Sequence, residues 1–280
     1  MLSIEPLSDA GGACITGLDL SQGLSPEQFG EIERALHRHC FVVLPGQTLS
    51  PSEFVDFSRP WGPAEPHVID TFHHARDPNI LILSNVKRDG KPIGLLDAGT
   101  YFHTDYSYLS VPARCTMLYA IQMPRERSGT TFANQTLAYA DLPDAMRARI
   151  DDLVVRHHYG NRDDLNVQSR TVASVLDDNQ KKKVDWVRHR LVRPHPHTGV
   201  KSLYGVSGSS FGIDGMDDKE AVGLLDELKA HATDMRYRHT YQYGIGDVVV
   251  WDNAQLLHAA PLTDLTDART LWRITVKEQA

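Results

Sequence analysis

Residues 246–252 read GDVVVWD and residues 271–278 read LWRITVKE. Both are short and rich in β-branched and aromatic side chains, and turn residues bound the first, so both are expected as strands. Working back through the chain, SLYGVSG (202–208), RCTMLYAIQM (114–123), NILILSNV (79–86) and FVVLPG (41–46) read the same way. The last closes at a Pro-Gly turn, and NILILSNV runs into the turn KRDGKP. Helical spacing is confined to a few places. SPEQFGEIERALHRHC (25–40) has Ser25 as N-cap, Gln28 three residues on, and Phe29, Ile32, Leu36 and Cys40 along one face. Pro51 to Phe57 follows a second cap at Ser50, and Leu137–Ile150 and Asp217–Ala232 are also periodic. Strands dominate the centre and the end, without the βαβα alternation of a doubly wound sheet. The expected fold is mainly β with flanking helices, a closed or sandwiched sheet of jelly-roll type.

The composition, 41 % apolar and 23 % charged, excludes disordered, collagenous and fibrous chains. No repeat, linker or low-complexity block interrupts the 280 residues, so one domain over 1–280 is expected. A formal net charge of −7 argues against nucleic acid as partner, because phosphate binding needs a basic face. The run KKK at 181–183 has acids on both sides and reads as a neutralised surface turn. Cys14, Cys40 and Cys115 form no CxxC motif, and so sparse a set fits a reducing compartment. No apolar run approaches the ~20 residues that span a bilayer. The opening MLSIEPLSDAGG lacks a basic stretch followed by an apolar one, so cytoplasm is the expected location.

The segment GTYFHTDYSY (99–108) holds His103 and Asp105 two apart. On an extended segment both project to one face, where an imidazole nitrogen and a carboxylate oxygen can reach one metal ion. Alone the pair carries no weight, since 14 histidines and 36 acidic residues supply such spacings by chance. His258, beyond the strand at 246–252 and a WDN turn, offers a third ligand from elsewhere in the chain. Two histidines and one carboxylate make the facial triad of non-haem Fe(II) oxygenases, with three octahedral positions left open. Arg269 and Arg273 follow His258 by 11 and 15 residues. Arg273 stands among Leu271, Trp272, Ile274 and Val276, where a guanidinium needs an anionic partner. A bound acid and a structural ion pair with an aspartate both satisfy that need.

Together these residues resemble the taurine dioxygenase and 2,4-dichlorophenoxyacetate dioxygenase family of Fe(II)/2-oxoglutarate-dependent oxygenases. The resemblance spans nearly the whole chain: the opening helix with FVVLPGQTLS, then ILSNVKRDGK, FHTDYSY, SGTTFAN with LAYADLP, and GDVVVWDN through RITV. It implies a double-stranded β-helix, or jelly roll. It implies His103, Asp105 and His258 as iron ligands. It assigns the distal carboxylate of 2-oxoglutarate to Arg269 and to Thr131, the last residue of Ser-Gly-Thr-Thr where the family has Gly-Gly-Asp-Thr. Arg273 then takes the acidic group of the primary substrate. Tyr106 through its backbone N–H, His67 in GPAEPHVID and Lys91 in the RDGK turn are further substrate contacts, and Tyr101, Phe102 and Tyr108 flank the pocket. The implied reaction uses Fe(II), 2-oxoglutarate and O₂ to hydroxylate a small anionic substrate, carboxylate or sulfonate, with release of succinate and CO₂. The hydroxylated product collapses where its carbon carries a leaving group. Asp105 separates the chain from the halogenases, which have a small residue there. The family also implies a homo-oligomer, dimer or tetramer. The rival readings are a non-catalytic metal-binding jelly-roll sensor, which gives no role to Arg269 and Thr131, and a zinc hydrolase, which leaves the arginine pair unexplained.

Overall fold

The computed structural model describes residues 2–96, 98–124, 129–159, 179, 185–262 and 265–279. The chain begins with β1 (Ser3–Pro6), β2 (Ala13–Thr16), α1 (Pro26–His39), β3 (Phe41–Leu44) and α2 (Pro51–Ser58). Both helices start from complete capping boxes, Ser25 with Gln28 and Ser50 with Glu53, each with proline in the first turn. Next come β4 (His73–His74), β5 (Asp77–Ser84), the hairpin of β6 (Lys87–Arg88) and β7 (Lys91–Pro92), and β8 (Ala113–Gln122). They lead to β9 (Thr130–Asn134), α3 (Gln135–Ala140), α4 (Asp144–Ile150) and β10 (Val154–His157). Then follow β11 (Val187–Arg190), β12 (Val192–Pro194), β13 (Lys201–Leu203), β14 (Ser210–Ile213) and α5 (Asp218–Ala232). The chain finishes with β15 (Arg238–Tyr241), β16 (Val248–Asp252), β17 (Leu256–Ala259) and β18 (Thr270–Lys277).

Eight strands form one sheet in the order β1-β2-β3-β16-β8-β18-β5-β4, antiparallel except for β2 on β3. A second sheet, β15-β9-β17, faces it. This is the mainly β, jelly-roll architecture expected. Every residue of β3 and β16 is buried, because the large sheet is covered on both faces. Alternation decides which cover each residue meets. Val42, Leu44, Met117, Tyr119, Val248, Val250 and Ile274 pack under α1 and α2 with Ile32, Leu36, Phe54 and Trp61. Phe41, Val43, Leu118, Ala120, Val249, Trp251 and Leu271 face the small sheet and meet Phe132 and Leu256. Arg273 and Thr275 share the inward parity of Leu271, and this parity carries a charged side chain into the space between the sheets.

Phe132 joins the two layers, stacked on Phe41 at 4.3 Å between ring centres and tilted against Trp251 at 5.6 Å. Phe132→Ala is expected to cost about 3–5 kcal/mol of stability, read from urea unfolding. A loss below about 1 kcal/mol would mean that the ring does not hold the sheets together.

Three expectations change. The helix over Leu137–Ile150 is two helices, α3 and α4, parted at Asp141-Leu142-Pro143, since proline offers no N–H and pushes the residue before it out of helical conformation. The strand over 202–208 stops at Leu203, and Gly205 and Gly208 then take left-handed conformations. The segment around His103 and Asp105 is a turn rather than a strand, as described below. The run 181–183 lies outside the described residues. Among the described residues no helix is long and apolar enough to cross a membrane.

Candidate active site

His103 is tied to β17 by a single bridge: its N–H donates to the His258 carbonyl at 3.0 Å, and the His258 N–H donates back at 2.8 Å. Beyond it the chain turns, and Tyr106 adopts φ +54. The two ligand candidates therefore converge by a turn and not by strand parity. Two glycines make the room. Gly99 has φ +68, and a Cβ there would fall 2.4 Å from the His103 ring; at Gly208, φ +87, it would fall 2.9 Å from the His103 Cβ.

Each histidine faces one oxygen of Asp105. His103 Nε2 lies 3.6 Å from Oδ1 and His258 Nε2 lies 3.5 Å from Oδ2. One ligand atom from each residue lies within 4.8 Å of the others. His103 Nδ1 donates to the Tyr101 carbonyl at 2.8 Å, which leaves the lone pair on Nε2, aimed at Asp105. Burial pushes His258 well below its ordinary pKa, and the neighbouring His103 adds to this, so its imidazole is neutral. Burial alone would raise the Asp105 carboxyl; the Arg273 guanidinium beside it overcomes this and holds the group well below the carboxylate range. A neutral His258 imidazole and an ionised Asp105 carboxylate are the states in which these groups bind a divalent ion, and with His103 Nε2 turned toward the same point the donor set fits iron. Asp105 is further fixed by Thr116, whose hydroxyl donates to Oδ2 at 2.6 Å, and by its own N–H donating to Asn253 Oδ1 at 3.1 Å.

Beside this cluster is a small cleft of about 40 Å³, lined by His103, His258, Thr130, Arg269 and Arg273 with Leu118 and Trp251. Both arginines are buried. Arg273 Nη2 stands 2.7 Å from Asp105 Oδ1, and its Nε donates to Thr275 Oγ1 at 3.2 Å. Arg269 is anchored through its backbone N–H to Asn85 Oδ1 at 2.8 Å. The threonine is a correction. Thr131 points to the other face of β9, where its hydroxyl pairs with Thr240 at 2.8 Å. Thr130 is the buried one, and it lines the cleft with its hydroxyl 2.8 Å from the Tyr243 phenol. A one-residue slip in matching Ser-Gly-Thr-Thr exchanges the faces of a strand.

A second cavity, about 320 Å³, is lined by His67, Val68, Tyr106, Tyr108 and Leu109, with Glu65 and Asp70 among its other walls. The Tyr106 ring lies 5.7 Å from the Arg273 guanidinium and 6.0 Å from the His67 ring, and its hydroxyl donates to the Glu65 carbonyl at 3.1 Å. Burial, then Arg273, lowers His67 to about 3, so it is neutral. Tyr101 packs beside His103 at 5.3 Å. Phe102 instead packs under Arg238, away from the cavities. Lys91 is not brought to the site: it is exposed in the β6–β7 hairpin. Thr116, Thr130 and Asn253 also border or support the site. Asn253 sits in the WDN turn that was noted, but Thr116 bonds across to Asp105 with no motif to mark it.

A cleft that aims two imidazoles and a carboxylate at one point, with buried guanidinium groups behind them, suits the oxygenases that combine non-haem iron with a 2-oxo acid. Comparison with known proteins agrees, and the chain belongs to the taurine catabolism dioxygenase TauD, TfdA family, whose model matches residues 3–275. It is similar to the 2,4-dichlorophenoxyacetate dioxygenase of Cupriavidus pinatubonensis, at 30 % identity over 99 % of this chain and 98 % of that protein. It is also similar to the (S)-phenoxypropionate/alpha-ketoglutarate-dioxygenase of Sphingobium herbicidovorans, at 28 % identity over 96 % and 92 %. Among solved structures, AAD-2 in complex with Mn(II) and N-oxalylglycine superposes with a TM-score of 0.83 at 27 % identity, covering 100 % of this chain and 98 % of that one. The protein is an Fe(II)- and 2-oxoglutarate-dependent dioxygenase, not a passive metal-binding module.

Proposed function

We propose that this dioxygenase hydroxylates a small organic acid whose anionic group rests on Arg273 and whose apolar or aromatic body fills the cavity beside Tyr106. Arg273 carries the reading. A buried guanidinium that borders the metal cluster and stacks over an aromatic cavity wall is placed to take a second anion once Asp105 shares its charge with a metal ion. The relatives named for 2,4-dichlorophenoxyacetate and (S)-phenoxypropionate point to an aryloxyalkanoic acid. Hydroxylation of the carbon beside the ether oxygen of such an acid gives a hemiacetal, which collapses to a phenol and an oxo acid.

His103, Asp105 and His258 would hold the iron, and Arg269 with Thr130 would hold the distal carboxylate of 2-oxoglutarate. When bound, the metal and the cosubstrate supply the oxidising chemistry, consuming O₂ and releasing succinate and CO₂. The protein supplies orientation. Trp251 and Leu118 keep the cleft dry, the arginines fix two anions, and His67 and Tyr106 bound the space for the substrate carbon. We also propose that residues 1–280 act as one domain, in the cytoplasm, as a homo-oligomer.

The test is succinate release with Fe(II), 2-oxoglutarate, ascorbate and a panel of aryloxy acids, aliphatic acids and sulfonates. An aryl acid is expected to stimulate succinate formation at least about tenfold; stimulation by none of the acids would defeat the reading. Arg273→Gln is expected to raise the KM for that acid more than tenfold and to leave the KM for 2-oxoglutarate within about threefold. Equal losses for both would make Arg273 a shared anchor. The threonines separate in the same assay. A hydrogen bond to a charged group contributes about 1.5–3 kcal/mol, so Thr130→Val should weaken 2-oxoglutarate at least about tenfold. Thr131→Val should change it less than twofold, and the reverse order would restore Thr131.

A further inference from the structure

A second cluster with the makings of a metal site adjoins the turn after β16: His37, His195 and Asp252 offer ligand atoms within 4.8 Å of one another. Its hydrogen bonds give it different chemistry. His195 Nδ1 accepts from the backbone N–H groups of His197 at 3.2 Å and Thr198 at 3.1 Å. That nitrogen therefore carries the lone pair, and the proton is on Nε2, which donates to Asp252 Oδ2 at 2.8 Å. A metal on Nε2 would force a proton onto Nδ1, against two N–H donors. His103 is the contrast, since its Nδ1 faces a carbonyl. The His195–Asp252 pair is a fixed donor and acceptor, buried at 3 % exposure on both sides.

Asp252 ends β16 and starts the turn to β17. It also accepts from the Ala254 N–H at 2.9 Å and from Gln255 Nε2 at 3.2 Å, so the turn closes around one dry carboxylate. Asn253 is the next residue. Its carbonyl accepts from Thr104 Oγ1 at 2.8 Å, and its Oδ1 accepts from the Asp105 N–H at 3.1 Å. Its Nδ2 donates to Thr116 Oγ1 at 3.1 Å, which leaves the single Thr116 proton for Asp105 Oδ2 at 2.6 Å. Asp105 has no strand of its own; it sits in a turn, ahead of a left-handed Tyr106. Asn253 thus ties down both its backbone and one of its carboxylate oxygens.

We propose that the buried His195–Asp252 pair is a positioning device for Asp105, locking the turn so that Asn253 and Thr116 present the carboxylate at a fixed place and angle. The inference rests on the reading of Asp105 as an iron ligand. Neither His195 nor Asp252 touches the cleft; both act through Asn253.

The test is Fe(II) affinity of the metal-free chain, by anaerobic competition with a chromophoric chelator. Losing a group hydrogen-bonded to a metal ligand costs about 10- to 100-fold in metal affinity, and for His195→Leu and Asp252→Asn, one step further out, a loss of about tenfold is expected. Asp252→Asn is isosteric and keeps the fold, but its amide cannot accept both from Ala254 and from His195. His195→Gln restores an N–H donor and is expected within about fivefold of the parent. The double variant His195→Leu/Asn253→Ala should bind iron within about twofold of Asn253→Ala alone, because both act on one path. Ile32→Ala, a core truncation in α1, controls for stability and should leave iron affinity unchanged. The proposal fails if Asp252→Asn stays within twofold of the parent, if Gln falls as far as Leu, if the double losses multiply, or if Ile32→Ala loses as much. His258→Ala separates the two levels. Retained iron there overturns the site itself, whereas lost iron there beside unchanged affinity in the dyad variants overturns only this inference.

Discussion

His258→Ala is expected to abolish succinate formation and to weaken Fe(II) by more than the roughly 10- to 100-fold that loss of an outer partner costs. Three protein ligands hold iron and leave positions open for the cosubstrate and O₂, and removing His258 leaves Asp105 and His103 across a single turn of chain. The fold should survive. His258 keeps its β17 pairing to Phe132 and its bridge to His103 through the backbone, and neither needs the imidazole. The measurement is iron stoichiometry of purified protein beside its circular dichroism. A variant that is folded and carries one iron per chain would show that the metal sits elsewhere.

Arg269→Ala carries the second large effect. Truncating one partner of a buried charge pair costs about 2–5 kcal/mol. At about 1.4 kcal/mol per tenfold, that is a loss of roughly 30- to several-thousand-fold in 2-oxoglutarate affinity. The loss should be confined to the cosubstrate, because the Asp105 charge is met by Arg273 and not by Arg269. Anaerobic titration of the metal-to-ligand absorption band reads it directly. Iron affinity should stay within about threefold of the parent; a 2-oxoglutarate affinity that also stays within threefold would leave the clamp to another residue.

Ser25 with Gln28, and Ser50 followed by Pro51, announce their helices because caps and first-turn signals are local to the chain. The strands at 41–44 and 248–251 announce themselves because strands buried on both faces read as continuous apolar runs. Pro143 was in plain view, yet apolar periodicity on both sides of it concealed the break. At the site, residue type and order brought out His103, Asp105, His258, Arg269 and Arg273 as candidates, and the resemblance to the family supplied their roles.

Which face of β9 looks into the cleft is a different kind of question. Thr130 and Thr131 are the same residue one step apart, and only the pairing of β9 with β15 and β17 decides that Thr131 meets Thr240 and Thr130 meets the cleft. The support of Asp105 is of this kind too. Thr116, Asn253, Asp252 and His195 join through hydrogen bonds between residues as far as 148 positions apart, and such bonds leave no period or spacing in the chain. By itself the sequence determined the strands and the capped helices, because each of these follows from neighbours along the chain, and it named candidate site residues through the order of motifs that the family resemblance carries. The tertiary structure alone decided the facing of Thr130, the turn that aims Asp105 and the exposure of Lys91, because each depends on what lies across the sheet rather than along it.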